Sequence, residues 1–487
     1  MMNNFLKTFD YSLLSWAMLA FTLLAFFAVQ VTGIVVFYLL PVAVILVALS
    51  VYNFKATYFM MLFFLPLSTE FFFSKSLATD LPTEPLIIGL MLVYLMYVLS
   101  KPYVVEKKFI SHPLIVLLLI HWVWMFITAI FADDSFVAFK FLLAKSWYYI
   151  VFIFLTALII KNESTARKAF WFIFIPLLFT AVQTLFRHYQ LDFAFSEINT
   201  PVVPFFRNHV SYGTMLTLFI PFIFYARSWY NKGSFLRILL NASILIFFIG
   251  IYFSYTRACL LALLLAAIYY FIIKLKATVP ALIAGLLIVG GIVYHFANDN
   301  RFMLFSPDFE QTVYHGNWEE HISATYQFQD ASSMERIYRW IAGINMFQEK
   351  PLMGYGPNNF YPTYKRHTVS AFETYISDNE ERSTIHNYYL LMLVEQGLVG
   401  FFLFLIITLY SLYLGQRIYS KAQSDRHKNM AIALTLSILM MYVSLQLSDL
   451  VETDKLGSLY FMSLALMVRL DLSVKSENEK KLKESTA

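Results

Sequence analysis

The chain has 487 residues, 59% of them hydrophobic, 18% aromatic and only 14% charged. A soluble domain is about a quarter charged, so an ordinary soluble protein is excluded, and apolar runs that are continuous rather than alternating exclude a transmembrane β-barrel. The net charge of +5 is informative by its placement rather than its sum, and the one cysteine, Cys259, excludes an intramolecular disulfide.

The N-terminal stretch MMNNFLKTFDYSLLSWAMLAF has no small-residue cleavage site after a short apolar core. It reads as a retained cytoplasmic tail and first span. Apolar windows long enough to cross about 30 Å of hydrocarbon fall at 13–31, 34–51, 57–74, 85–100, 113–131, 143–160, 169–186, 210–226, 238–255, 257–273, 278–296, 388–414, 429–447 and 456–470. They predict an all-α, polytopic integral membrane protein with about 12–14 transmembrane helices. Residues 1–296 carry the first set of helices, 297–387 form one large outward loop with helices of its own, 388–470 carry the last helices, and the charged tail 471–487 is expected to be disordered. Alternate loops hold Lys101, Lys107 and Lys108; Lys161, Arg167 and Lys168; Arg227, Lys232 and Arg237; Lys274 and Lys276; and Arg417, Lys421, Arg426 and Lys428. The excess of basic residues marks their side as cytoplasmic, with both termini on it.

Several polar residues interrupt this pattern. Asp133 and Asp134 form an acidic pair in FADDSF, read as a solvated turn in preference to a cation site. Arg207, Asn208 and His209 precede the span at 210, either as interfacial anchor and helix cap or as the wall of an outward cavity. Arg257 lies in a tight connection between two apolar runs, where a charge must pair, snorkel or line a polar cavity.

Within 297–387, Ser332 and Glu335 fit a capping box. Trp340, Ile344 and Phe347 share a helical face, and Pro351 stops the helix before the turn cluster GYGPNNF. Arg336 then falls in the first turn, where a cation opposes the helix dipole by a few tenths of a kcal/mol. It is either a phosphate-holding guanidinium or a surface residue paired with an acid; Arg339, one turn on, is the weaker candidate. His386 and Asn387 open the next span, as general base and neighbour or as interfacial histidine and helix cap. Glu395 lies inside that span before Gly397 and Gly400, which permit close helix approach, and packing is its expected role. No P-loop or GxGxxG motif follows a strand, which excludes a nucleotide-driven enzyme of those kinds, and no Cys/His cluster has zinc spacing.

The stretch MERIYRWIAGINMFQEKPLMGYGPNNF (334–360), followed by HNYYLLMLVEQGLVG (386–400), resembles the O-antigen ligase and polymerase superfamily. The likeness rests on Arg336, Trp340, Pro351, Leu352, Gly354, Gly356, Pro357, Asn359 and Phe360. It continues through the His386–Asn387 pair and through Glu395, Gly397 and Gly400. SYTRACL is similar to the family's Thr/Ser-Arg-Gly/Ala turn and falls on Arg257, with Ala258 where glycine is commoner. The motifs cover roughly 205–400.

The resemblance implies a membrane glycosyltransferase of the C type in the bacterial inner membrane, working on the periplasmic face without a nucleotide sugar, cofactor or essential metal. The implied donor is an undecaprenyl-diphosphate-linked glycan. The acceptor is a hydroxyl of lipid A core, of another lipid-linked repeat, or of a protein; membrane lipid is a partner and nucleic acid is not. In this reading His386, Arg336 and Arg257 are catalytic: His386 takes the acceptor proton while Arg257 and Arg336 hold the diphosphate. Arg339, Arg207, His209 and Asn387 contact diphosphate or glycan, and Trp340, Pro351, Gly354, Gly356, Glu395, Gly397 and Gly400 are structural. The single large loop favours a ligase over a polymerase. A flippase or transporter is the rival of another class, but it would place its ionisable residues near the bilayer midplane, in repeated halves.

Overall fold

A computed structural model of the protein describes residues 11–32, 41, 52–74, 77–104, 106–297, 331–369, 377, 379 and 383–486. Among these, ten helices are long and apolar enough to cross a membrane. The helices used below are α1 (Tyr11–Thr32), α2 (Phe54–Phe64), α3 (Thr83–Ser100), α4 (Pro113–Ile130), α5 (Ser135–Tyr148), α6 (Glu163–Tyr189), α7 (His209–Ala226), α8 (Phe235–Tyr252), α9 (Arg257–Lys274), α10 (Thr278–Ala297), α11 (Ala331–Glu349), α12 (Tyr388–Lys421), α13 (Asp425–Ser444) and α14 (Asp454–Thr486). The span that begins with α5 continues through a π-helical stretch, Tyr149–Leu155, to Ile159. The expected span at 34–51 falls almost wholly outside the described residues.

α13 is the hub, packing against α7, α9, α12 and α14. Its buried residues include the small side chains Ala431, Ala433, Thr435, Ser437 and Ser444 between Leu434, Ile438, Met440, Met441 and Tyr442, and Gly415 of α12 lies directly against Thr435. Small residues let helix backbones approach closely where no hydrophobic effect drives them together. α14 is buried over 83% of its apolar window, whereas the window of α10 is only 6% buried and turns Leu286, Leu287 and Ile288 outward. In hydrocarbon such an apolar exterior carries no cost.

Two expectations are corrected. The window at 57–74 does not cross as one helix: α2 ends at Phe64, Pro66 follows in a short turn, and Thr69–Ser74 (β1) pairs antiparallel with Leu77–Leu81 (β2). Proline lacks the N–H that a helix needs, and the Thr- and Phe-rich run after it suits a strand. The tail also differs, since α14 runs unbroken to Thr486. Asp471 anchors it through Arg417 (2.8 Å), His112 (3.2 Å) and Lys475 (2.7 Å), and the Glu, Lys and Leu beyond are good helix formers.

The basic loops meet at one end of the bundle, where Arg469 and Lys161 share Glu106 and Arg426 reaches Glu163. The opposite end gathers the β1–β2 hairpin, the Asp133–Asp134 turn, residues 190–208, the α8–α9 turn, α11 and the 445–453 connection.

Candidate active site

At this second end the sequence motifs form one tertiary unit. Gly397 breaks α12 with φ 66° and ψ −169°, a left-handed conformation that favours glycine. A break inside an apolar helix frees backbone groups that need partners. Tyr355 N donates to Val394 O (3.0 Å), Gly356 N to Glu395 O (2.9 Å), Leu398 N to Pro351 O (2.9 Å), and Trp124 Nε1 to Gln396 O (2.9 Å). The GYGPNNF turn therefore lies along the broken helix. A Cβ on Gly354 would stand 2.5 Å from the Glu395 backbone, and one on Gly397 would strike Leu352 O. Only glycine allows that approach.

Glu395, 3% exposed, accepts from Asn358 N (2.8 Å) and Phe360 N (3.1 Å). It is a clamp on the turn rather than a helix-packing residue, which corrects the expectation. Asp133 and Asp134 are likewise engaged rather than merely solvated. Asp133 N donates to Tyr355 O (3.1 Å) and its carboxylate pairs with Lys350; Asp134 caps α5 and its N–H donates to Asn359 Oδ1 (2.8 Å).

The same platform mounts His386. Its φ of 54° is uncommon outside glycine. Neighbours hold the flanking backbone: Arg339 donates to Thr384 O (3.1 Å) and Trp340 Nε1 to Ile385 O (3.1 Å), while Ile385 is fully buried against Gly343. On the other side Thr384 Oγ1 donates to Asp449 Oδ2 (2.7 Å), Tyr388 N to Leu445 O (2.8 Å), and Tyr388 OH to Glu452 Oε1 (2.5 Å). Asn387 caps α12 through Leu390 N (3.0 Å). Burial, then the fields of Arg336 and Arg339, push His386 down to about 3, so its imidazole is neutral across the physiological range. The two guanidinium groups and the imidazole thus share one neighbourhood.

The remaining candidates divide. Arg336, half-buried, lies in the second turn of α11 as described from Ala331, not in a first turn. The Ser332 side chain of the expected capping box lies outside the described residues. Arg339 is only 5% exposed and paired with Glu335 (3.1 Å) as well as Thr384 O, so its guanidinium is committed to holding the His386 segment, against the expected contact with substrate. The buried stripe of α11 is Met334, Tyr338, Ile341, Ala342 and Met346, rotated from the expected Trp340–Ile344–Phe347 face; Ile344 is 48% exposed. Asn208 caps α7 through Ser211 N (2.9 Å), and His209 Nδ1 lies 2.9 Å from Asn199 Oδ1. Arg257 opens α9, half-buried; Thr256 beside it reaches His209 O (3.5 Å), which joins its turn to the His209 corner. Arg207 is exposed, and its field acts on both Asp80 and Asp449.

Sequence reasoning missed the Asp449–Glu452 segment and its partner Lys145, only 3% exposed and 2.7 Å from Glu452. A lysine inside an apolar span was the legible signal, because intramembrane charges need partners.

Residues 242–405, about a third of the chain, match the O-antigen ligase family model. No curated protein matches the sequence. The matched segment begins in α8 and ends in α12, enclosing Arg257, Arg336, the glycine-rich turn, His386 and the Glu395–Gly397 break, and over that segment the match supports the likeness to the O-antigen ligase/polymerase superfamily.

Proposed function

We propose that the protein transfers a glycan from a lipid-linked diphosphate to an acceptor hydroxyl at the surface of the bacterial inner membrane. The observation that carries this reading is the mounting of His386, held in an uncommon backbone conformation beside Arg336 and Arg339 at one end of an apolar bundle. The donor's leaving group is a diphosphate, so negative charge grows as the sugar C1–O bond breaks. Arg336, and Arg257 from the α9 start, stabilise that charge. His386 removes the acceptor proton as the hydroxyl oxygen bonds to C1, and in-line attack inverts the anomeric centre. An undecaprenyl tail would remain in the bilayer, which is why such a site belongs at the membrane edge. The basic opposite end supports a cytoplasmic assignment for that end and for both termini, leaving the site periplasmic.

The test is transfer by the full-length protein in liposomes, from an undecaprenyl-diphosphate glycan to a lipid A core glycolipid. His386→Ala is expected to lower kcat by about 10²–10⁴, the usual contribution of a general base. Arg336→Ala and Arg257→Ala are each expected to lower it by at least about tenfold. Undiminished transfer in all three variants would refute the mechanism. Glycan joined to lipid A core identifies the ligase activity favoured here; a ladder of lipid-linked polymer identifies a polymerase.

A further inference from the structure

Next to the His386 mount lies a cavity of about 400 Å³. Three stretches distant in sequence wall it: the β1–β2 hairpin with the start of α3, residues Val203–Arg207 with Ser211, and residues Glu452–Leu456. All three lie outside the segment that matches the family model. The last wall is continuous with the His386 mount, since Asp449 holds Thr384 and Glu452 both receives the Tyr388 hydroxyl and lines the cavity. The cavity and the imidazole are therefore held by one piece of chain.

The lining has a definite chemistry. Asp80, Glu84, Asp454, Glu452 and Glu70 supply five carboxylates, and the cations are Arg207 and Lys455. Lys455 is only 8% exposed, and its ammonium donates to the backbone carbonyls of Ser68 (2.7 Å) and Phe205. Its hydrogen bonds thus go to the wall rather than to the acids. Asp454 takes the Tyr148 hydroxyl on Oδ1, while its Oδ2 is buried without a hydrogen-bond partner among the described residues, although Glu84 stands beside it. Thr79 and the Asp80 N–H are tied to Glu84, which stiffens the hairpin over the opening. Phe205 and Phe206 add apolar surface.

Such a wall offers many hydrogen-bond acceptors, few donors to spare and two aromatic rings. A saccharide matches it, presenting hydroxyl donors at its rim and C–H groups on its faces. A phosphate does not, because with Glu452 paired to Lys145 the remaining acids Asp80, Glu84, Asp454 and Glu70 still outnumber the lining cations Arg207 and Lys455. His386 thus stands between unlike neighbours. Arg336 in α11 lies on one side, suited to a diphosphate, and the acid-rich cavity wall lies on the other.

We propose that this cavity is the acceptor subsite and that it takes the neutral, non-phosphorylated sugar whose hydroxyl His386 deprotonates. The cavity's saccharide specificity stands on its own lining; its assignment to the acceptor rests on the proposed glycosyl transfer.

The experiment uses the full-length protein in nanodiscs with Thr453→Cys, an exposed position in the cavity lining. The native Cys259 is fully buried and serves as a silent background. The rate of labelling by a sulfonated maleimide is measured with a panel of neutral hexose and N-acetylhexosamine disaccharides and with their 6-phosphates. At least one neutral disaccharide is expected to slow labelling, and none of the phosphates. Asp80→Asn and Asp454→Asn in the same background are expected to weaken protection by about fivefold or more, the effect of losing one hydrogen bond to a charged group. Should either variant fail to fold, Phe205→Ala replaces it and is expected to weaken protection as well. Absence of protection by every neutral sugar, equal protection by the phosphates, or protection that survives the substitutions overturns the proposal. Transfer is assayed in parallel with the wild type. Protection without transfer sinks the glycosyl-transfer reading and leaves the saccharide cavity standing; transfer without protection sinks the cavity alone.

Discussion

His386 carries the densest set of constraints in the molecule. Its φ of 54° is kept only because carbonyls on both preceding residues are held by Arg339 and Trp340 while Asn387 begins the helix behind it. With its imidazole pushed down to about 3 against about 6.5 in an unfolded chain, the unfolded state binds more protons between those values. The group's contribution to stability is complete above pH 6.5 and is lost as pH falls toward 3. Acid unfolding of His386→Gln in detergent should therefore show a shallower loss between pH 6.5 and 4 than the wild type; an unchanged slope would mean that the imidazole is not held neutral. For catalysis, kcat/KM should show no histidine limb between pH 5 and 8, because the free protein already holds a neutral base. Donor binding brings negative charge beside Arg336 and raises the imidazole pKa, so any acid limb should appear in kcat first.

At the scale of elements, the decisive feature is the break in α12 and the turn that covers it. Gly397→Ala should cost about 1–3 kcal/mol from its backbone conformation alone, and more from collision with Leu352. Glu395→Ala leaves the buried N–H groups of Asn358 and Phe360 without their acceptor, at about 1–3 kcal/mol each. Both variants should lower the thermal midpoint in detergent and reduce transfer although neither touches His386, and a Glu395→Ala protein as stable as wild type would contradict the clamp. The composition of this unit was readable: the spacing of Gly354, Gly356, Glu395 and Gly397 marked it. Its purpose was not, because a carboxylate in an apolar run looks the same whether it faces a neighbouring helix or a folded-back turn 35 residues earlier. The rotated face of α11 has a similar cause. Apolar residues occur around much of that helix, and the choice of Met334, Tyr338 and Met346 over Ile344 came from what packs against it.

Across the whole molecule, the Lys145–Glu452–Tyr388 group ties α5, the 445–453 connection and α12 together beneath the site. Lys145→Met should destabilise by up to about 3 kcal/mol by leaving the half-buried Glu452 without its cation, and Lys145→Met combined with Glu452→Gln should recover most of that loss; equal stability of the single and double variants would deny the pair its role. The two ends of the bundle can be told apart by labelling. With an impermeant maleimide on intact spheroplasts, Lys365→Cys at the site end should react and Asp425→Cys at the basic end should react only after permeabilisation. The reverse pattern would invert the topology proposed here.

Hydropathy alone was enough to establish a helical membrane protein, because crossing hydrocarbon demands long apolar helices wherever the chain goes. The order of glycines, arginines and the His-Asn pair was enough to locate the family region, because a turn that must pack backbone against backbone constrains residue type directly. Folding added what depends on distant partners. Asp449 and Glu452 buttress His386 from beyond the family region, the window at 57–74 ends in a hairpin, the charged tail stays helical, and the hairpin, residues 203–207 and residues 452–456 close around one polar cavity. Those placements are set by pairings between segments up to about 390 residues apart, such as Lys455 with Ser68, and no local pattern encodes a partner at that distance.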